Sequence, residues 1–186
     1  MAGIDENLAF APATELKELI ANKKVSPVEI TQLYLDRIDT LDGQLNSYLT
    51  VTSELALESA RKAEKAVIDG DELGPLHGIP ISIKDLQMTK GVKTTGGSLA
   101  YKDRVPDADC AVVERALSAG AIMLGKTNSP EFGLLGANEN RLGDPCRNPW
   151  NPERTSGGSS GGAGASIIAG LTSLATGGDG GGSIRI

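Results

Sequence analysis

The spacing of apolar residues in the first third of the chain predicts three amphipathic helices. Apolar side chains recur three and four positions apart within residues 14–22, as they do on one face of a helix. Ser26-Pro27-Val28-Glu29 is a capping box with proline at the first helical position, so a second helix should begin there and stop near Gly43. A third, alanine-rich helix is expected over residues 53–69, ended by Gly70.

From residue 74 onward the pattern changes to short apolar strands that alternate with helices. Strands are expected over residues 79–83, 121–125 and 171–176, and helices over residues 109–119 and 160–169. This alternation predicts an α/β fold built in layers.

The proline- and asparagine-rich stretch over residues 136–158 is expected to be irregular, and its part Asn151–Thr155 does not resemble a strand.

Length and composition narrow the class of protein further. At 186 residues the chain is expected to form one domain. A net charge of −6 and an aromatic content of 3% argue against direct nucleic-acid binding. There is no apolar run of membrane-spanning length, and the acidic N-terminus from Met1 lacks an apolar signal core, so a cytoplasmic location is expected. His77 is the only histidine, and Cys110 and Cys146 form no CxxC pair, so neither a metal site nor a disulfide is expected.

Two glycine-rich segments, residues 156–162 and residues 178–185, each contain serine. Backbone without Cβ atoms can approach a ligand closely and direct N–H groups at a developing negative charge. Gly180-Gly181-Gly182 before Ser183 would suit an oxyanion hole beside a nucleophile, although a flexible glycine turn is the alternative. Asp179 is expected to organise this loop by bonding nearby backbone groups.

Lys84, directly after the apolar run 79–83, has two interpretations. It could reach water along its stem, as strand-end lysines do. It could instead be a desolvated base, in which case its pKa must fall from about 10.4 to about 7, a fall that burial can produce. Asp85 would oppose neutrality if it approached Lys84, but neighbouring side chains in a strand point to opposite faces.

Three interpretations compete for the pair Ser159-Ser160. One serine could cap the helix that follows, or could relay protons between Lys84 and Ser183. The segment Gly158–Gly162 also fits the G-x-S-x-G nucleophile elbow, but that elbow requires a strand directly before it. No Gly-Lys-Ser/Thr follows either glycine cluster, so a phosphate-binding loop is disfavoured.

Taken together, the motifs closely resemble the amidase signature family, and the resemblance covers nearly the whole chain. The segments that carry it are Gly-Ile-Pro-Ile-Ser-Ile-Lys-Asp (78–85), Thr-Thr-Gly-Gly (94–97), Gly-Lys-Thr-Asn-Ser-Pro-Glu-Phe (125–132), Asn-Pro-Trp-Asn (148–151), Gly-Gly-Ser-Ser-Gly-Gly (157–162) and Gly-Gly-Ser-Ile-Arg (181–185).

The resemblance implies a Ser-Ser-Lys catalytic triad. Lys84 matches the family's base, Ser159 its bridging serine and Ser183 its acyl-forming nucleophile. The bridging serine of the family follows a cis peptide bond, which would lie between Gly158 and Ser159 here. Gly158 and Gly180–Gly182 are then expected to bind the oxyanion or the substrate.

Asp179 and Arg185 are expected to be structural residues beside the implied site. One departure from the family pattern is Gly178, which stands where the family usually has threonine or serine before the aspartate.

The implied fold is an amidase-type layered α/β structure with a mixed central sheet and helices on both faces. A helical segment over about residues 1–73 and the start of the catalytic core over about residues 74–186 would form the N-terminal portion of one amidase domain, truncated after the nucleophile motif.

The implied activity is hydrolysis of a carboxylic amide to an acid and ammonia or an amine, with no metal or other cofactor. The expected partners are a small-molecule amide and a second copy in a homodimer. Two alternatives remain: the amidotransferase member of the family that releases ammonia from glutamine as part of a glutamyl-tRNA-dependent heteromer, and an inactive fragment.

Overall fold

The centre of the molecule is a four-stranded sheet, in a computed structural model that describes residues 4–186. Numbered in chain order, its strands are β1 (Tyr48–Val51), β2 (Pro80–Lys84), β3 (Ile122–Thr127) and β6 (Leu174–Ala175), and they lie in the order β1-β3-β2-β6. β2 runs parallel to β3 and β6, whereas β1 runs antiparallel to β3. The expectation of a mixed sheet is confirmed.

Five helices surround this sheet, and each lies where the sequence predicts one. They are α1 (Ala13–Ala21), α2 (Pro27–Leu45), α3 (Ser53–Asp69), α4 (Ala111–Ser118) and α5 (Gly161–Ile168). The predicted capping box is present at the start of α2, where Ser26 and Glu29 bond each other's backbone N–H groups. Short 3-10 turns cover Glu6–Phe10, Leu99–Tyr101 and Glu131–Gly133.

The two faces of the sheet carry separate apolar cores. Ile122 and Leu124 of β3 belong to the core formed with α1, α2 and α3. Ile81, Ile83 and Met123 belong to the second core, which includes α4. Since successive side chains of a strand point to opposite faces, this division follows from the alternation along β2 and β3. The helices therefore cover both faces, as expected.

The pairing of β2 with β3 contains one irregularity. Ile81 pairs with Met123, but the next residue, Ser82, pairs with Gly125, so β3 has one extra residue at this point. Gly125 is required there, because a Cβ atom would lie 2.3 Å from the Thr50 carbonyl oxygen of β1. Beyond the irregularity, Ile83 pairs with Lys126.

Several sequence predictions about element boundaries were wrong. α2 continues through Gly43, where a Cβ would meet nothing within 4 Å, and ends at Leu45. Asn46 stops it by adopting a left-handed conformation, with φ of 52°. β1 was not predicted, so the N-terminal segment is not purely helical. β6 is shorter than the predicted strand over residues 171–176.

The stretch predicted to be irregular contains a small hairpin. β4 (Arg147–Asn148) pairs antiparallel with β5 (Asn151–Thr155), in a sheet separate from the central one. The expectation that Asn151–Thr155 is not a strand was therefore wrong. All five residues of β5 are exposed, so the strand has no apolar alternation from which it could be predicted.

No helix within residues 4–186 combines the length and apolar character needed to cross a membrane. Met1–Gly3, the start of the segment predicted to lack an apolar signal core, lies outside the described residues. Both cysteines are free thiols, Cys146 in the interior and Cys110 half-buried.

Candidate active site

Lys84 lies at the end of β2 and does not reach solvent. The residue is only 2% exposed, which disagrees with the interpretation of a strand-end lysine extending into water. Its Nζ donates hydrogen bonds to Ser159 Oγ at 2.8 Å and to Ser160 Oγ at 2.9 Å. Asp85 bonds the N–H and the hydroxyl of Thr95 instead, as expected if the two neighbouring side chains point to opposite faces.

Ser159 connects Lys84 to Ser183. The Ser159 and Ser183 hydroxyl oxygens are 2.7 Å apart, and either can donate. The peptide bond between Gly158 and Ser159 is cis, as the resemblance implies. The structure thus brings the three predicted side chains into one continuous hydrogen-bonded chain in the order Lys84, Ser159, Ser183.

Two backbone features hold this chain together from either side. The Ser160 N–H donates to the Ser183 carbonyl oxygen at 3.0 Å, so the two glycine-rich segments are joined directly beside the hydroxyls. On the other side, Gly158 packs against the backbone of Gly136 and Ala137, where a Cβ would meet Ala137 at 3.1 Å. Both glycine-rich segments therefore need backbone without side chains to come this close.

Burial changes the acid–base character of Lys84. Desolvation lowers its pKa from 10.5 to about 8, and the carboxylate of Asp179 partly opposes the fall. With a pKa near 8, about a tenth of the molecules carry a neutral amine at pH 7. The neutral amine can accept a proton, whereas the ammonium cannot.

Asp179 holds the loop that carries Ser183. Its carboxylate accepts hydrogen bonds from the Gly182 N–H at 2.8 Å and the Ile184 N–H at 3.2 Å. The Arg185 guanidinium binds both carboxylate oxygens, at 2.9 and 3.0 Å. These bonds hold the pKa of Asp179 well below its ordinary value, Arg185 being the largest cause. This bonding pattern is the one expected of a residue that organises the loop.

The expected oxyanion donors are only partly available. The Gly182 N–H is occupied by Asp179, so in this conformation it does not serve as a free donor, contrary to expectation. Within residues 4–186, the N–H groups of Gly180, Gly181 and Ser183 donate to no protein acceptor. An oxyanion role for these three groups stays a prediction.

Ser160 is a second partner of Lys84 that the sequence left open. It is the N-cap residue of α5, but its hydroxyl makes no capping hydrogen bond. It contacts Lys84 Nζ and the Gly178 backbone instead. The elbow interpretation finds no support, because β5 belongs to the exposed hairpin and residues 156–158 separate it from the serines.

Gly133 forms part of the wall beside Ser159, and no sequence pattern predicted this contact. A Cβ at this position would lie 3.1 Å from Ser159 Oγ and 2.7 Å from Leu86. Gly133 also has a φ of +72°, a conformation that glycine adopts without strain. The contact depends on how the turn after β3 folds back over α5, which no local pattern encodes.

Replacing Asp179 with asparagine is expected to lower kcat about 10- to 100-fold, because a loosened loop misplaces the Ser183 hydroxyl. Since the carboxylate also holds the pKa of Lys84 up, the acidic limb of the pH–rate profile should move to lower pH. Steady-state kinetics across the pH range on the full-length protein would measure both effects.

Asp69→Asn is the matched control for Asp179→Asn, since Asp69 pairs with Lys65 on the exposed surface of α3. This control should leave both kcat and the acidic limb unchanged. If Asp179→Asn left kcat and the limb where they are in the unmodified protein, Asp179 would not position Ser183.

Within residues 4–186, no group of three or more histidine, cysteine, aspartate or glutamate side chains is arranged to bind a metal ion.

Comparison with known proteins agrees with this geometry. The profile of the Amidase family matches residues 29–186. The chain is 47% identical over 178 residues to the A-type subunit of glutamyl-tRNA(Gln) amidotransferase from Moorella thermoacetica, and the match covers 96% of this chain and 37% of the relative. The corresponding protein of Methylococcus capsulatus is 48% identical over 171 residues, covering 92% and 35%. The chain therefore spans little more than a third of the length of these curated relatives.

Solved structures of amidases superpose closely on the chain. A bacterial aryl acylamidase described as an amidase signature enzyme matches with a TM-score of 0.90 at 36% identity, covering 95% of this chain and 37% of the enzyme. A fatty acid amide hydrolase matches with a TM-score of 0.93 at 29% identity, covering 98% and 32%. The profile match extends over most of the chain and includes every residue of the Lys84–Ser159–Ser183 hydrogen-bonded chain. On this evidence, the chain belongs to the amidase family.

Proposed function

We propose that the protein hydrolyses a carboxylic amide through an acyl-enzyme formed on Ser183. The observation that carries the proposal is the unbroken contact from the buried Lys84 amine through Ser159 to the Ser183 hydroxyl. A serine hydroxyl is a weak nucleophile until a base removes its proton, and a lysine with a lowered pKa can be that base.

In the proposed acylation step, Ser183 Oγ forms a bond to the amide carbonyl carbon. Its proton passes to Ser159 Oγ while the Ser159 proton passes to the neutral amine of Lys84. The carbonyl oxygen becomes an oxyanion, which N–H groups of Gly180, Gly181 and Ser183 would stabilise. The proton then returns through Ser159 to the leaving nitrogen, and the carbon–nitrogen bond breaks.

In the proposed deacylation step, water attacks the ester carbonyl under the same base. Its proton moves through Ser159 to Lys84 and back to Ser183 Oγ, which leaves the acid and the free enzyme. Ser160 Oγ, 2.9 Å from Lys84 Nζ, would hold the amine in place while Ser159 exchanges protons.

Partitioning of the acyl-enzyme tests this proposal. A panel of short aliphatic amides, aryl amides and glutamine would be supplied to the full-length protein with a fixed concentration of hydroxylamine. An amide and an ester of the same acid should give the same ratio of hydroxamate to acid, because both pass through one acyl-enzyme. Different ratios, or no cleavage of any compound in the panel, would contradict the proposal.

A second candidate function is supported by the curated relatives. The Moorella and Methylococcus proteins are both named as glutamyl-tRNA(Gln) amidotransferase subunits. We propose as the alternative that the protein uses the same chemistry to release ammonia from glutamine for a partner protein. The net charge of −6 is compatible with this role if the partner binds the tRNA.

Native purification separates the two candidates. A tagged full-length protein expressed at its natural level would be purified and assayed for glutaminase activity with and without glutamyl-tRNA. The amidotransferase candidate requires a stable heteromer whose glutaminase responds to the charged tRNA. A protein that purifies alone, cleaves other amides and ignores the tRNA would leave the stand-alone amidase.

A further inference from the structure

The backbone of Lys84 is held on both sides by groups outside the triad. Its N–H donates to Thr176 Oγ1 at 2.9 Å, in place of a ladder hydrogen bond from the short strand β6. Its carbonyl oxygen accepts from the Gln87 N–H at 2.9 Å. Both peptide groups that flank the Cα of Lys84 are therefore fixed, and the direction of the side chain is fixed with them.

Thr176 and Gln87 are also bonded to each other. The Thr176 hydroxyl lies within hydrogen-bond distance of Gln87 Oε1. A hydroxyl has one proton to donate and lone pairs to accept, so the Thr176 hydroxyl can donate to Gln87 while it accepts from Lys84. The Thr176 N–H donates to the Ser82 carbonyl at 2.9 Å, which ties the threonine to β2 itself.

Lys126 anchors this pair from the opposite face of the sheet. Its Nζ donates to the Gln87 carbonyl oxygen at 2.5 Å, to Thr89 Oγ1 at 2.7 Å and to Thr94 Oγ1 at 3.0 Å. The side chain is completely buried, and these three acceptors match the three donors of an ammonium group. The segment that carries Gln87 is therefore tied to the same sheet as Lys84.

We propose that Thr176 and Gln87, anchored by Lys126, form a polar clip that positions the amine of Lys84 against Ser159. The inference rests on the proposed function, in which Lys84 is the base. Thr176 and Gln87 are positioning residues, because they bond the backbone of Lys84 and contact none of the three hydroxyls around its amine. Proton transfer through Ser159 needs the 2.8 Å approach of Lys84 Nζ, so a small rotation at Lys84 would interrupt it.

The test compares Thr176→Val with Thr176→Ser in the full-length protein. Valine has nearly the shape of threonine but no hydroxyl, so kcat should fall about 10- to 100-fold while KM is unchanged. Serine retains the hydroxyl and should restore kcat. Thr172→Val is the matched control, since its hydroxyl bonds the Leu174 carbonyl near the same strand and contacts no part of Lys84.

A crystal structure of Thr176→Val gives a second measurement that does not depend on activity. The proposal requires Lys84 Nζ to leave hydrogen-bond distance of Ser159 Oγ in this variant. It is overturned if the amine stays in place, or if kcat is unchanged while Ser183→Ala abolishes turnover. If the unmodified protein turns over no amide, the proposed function fails, and the distance in the crystal still decides whether the clip positions Lys84.

Discussion

Ser183→Ala is expected to abolish amide turnover in the full-length protein. Alanine removes the oxygen that would form the acyl bond, and loss of the nucleophile in a serine hydrolase lowers kcat on the order of 10⁶-fold. The fold should survive, because Ser183 lies on a loop and its neighbouring backbone is held by Asp179. The variant should also stop reacting with a fluorophosphonate, which labels activated serines.

Mass spectrometry of the labelled protein identifies the reactive residue. Labelling of the unmodified protein should fall on Ser183 alone, and Ser53→Ala, which replaces an exposed serine at the start of α3, should label and turn over normally. Label on Ser159 or Ser160 would mean that the roles of the serines are assigned wrongly. Persistent turnover by Ser183→Ala would exclude an acyl-enzyme on this residue.

Lys84→Met is expected to lower kcat about 10²- to 10⁴-fold, the range that general acid–base catalysis supplies. Methionine retains the length of the buried stem but has no amine, so Ser159 loses its proton acceptor. In the unmodified protein, activity should rise with pH through the pKa of Lys84, about 8, because only the neutral amine is a base. Below that pH, activity should fall about tenfold per pH unit.

The pH–rate profile of Lys84→Met separates a catalytic role from a structural one. Loss of the acidic limb together with most of the rate is the expected result, with folding verified by circular dichroism. Lys62→Met is the control, since Lys62 lies exposed on α3 and pairs with Glu58, and its limb should be unchanged. An acidic limb that persists near pH 8 in Lys84→Met would have to come from another group.

The helices and the burial of Lys84 were predictable because each has a local signal. Capping residues and apolar spacing mark the helices, and an apolar run directly precedes Lys84. β1 and β5 have no such signal, since β1 has four residues and β5 is exposed throughout. Their pairing partners lie elsewhere in the chain, and pairing rather than propensity makes them strands.

The meeting of the site residues depends on distant parts of the chain. Ser159 and Ser183 are 24 positions apart and Lys84 is 75 positions from Ser159, so only the family resemblance connected them in advance. The contact between Gln87 and Thr176 spans 89 positions and belongs to none of the motifs. It exists because β6 aligns with β2 at Ser82, which is a property of the assembled sheet.

The extra residue in β3 keeps two buried amines apart. Ile81 pairs with Met123, and an uninterrupted alignment from there would set Lys126 directly beside Lys84 on the neighbouring strand, about 4.8 Å away. Two ammonium groups at that spacing would repel each other, and each would lose oxygen partners to the other. By displacing Lys126 one position, the irregularity leaves Lys84 with the serines and gives the second cation its own shell of threonine and carbonyl oxygens. A single residue of strand stagger thereby works as electrostatic insulation.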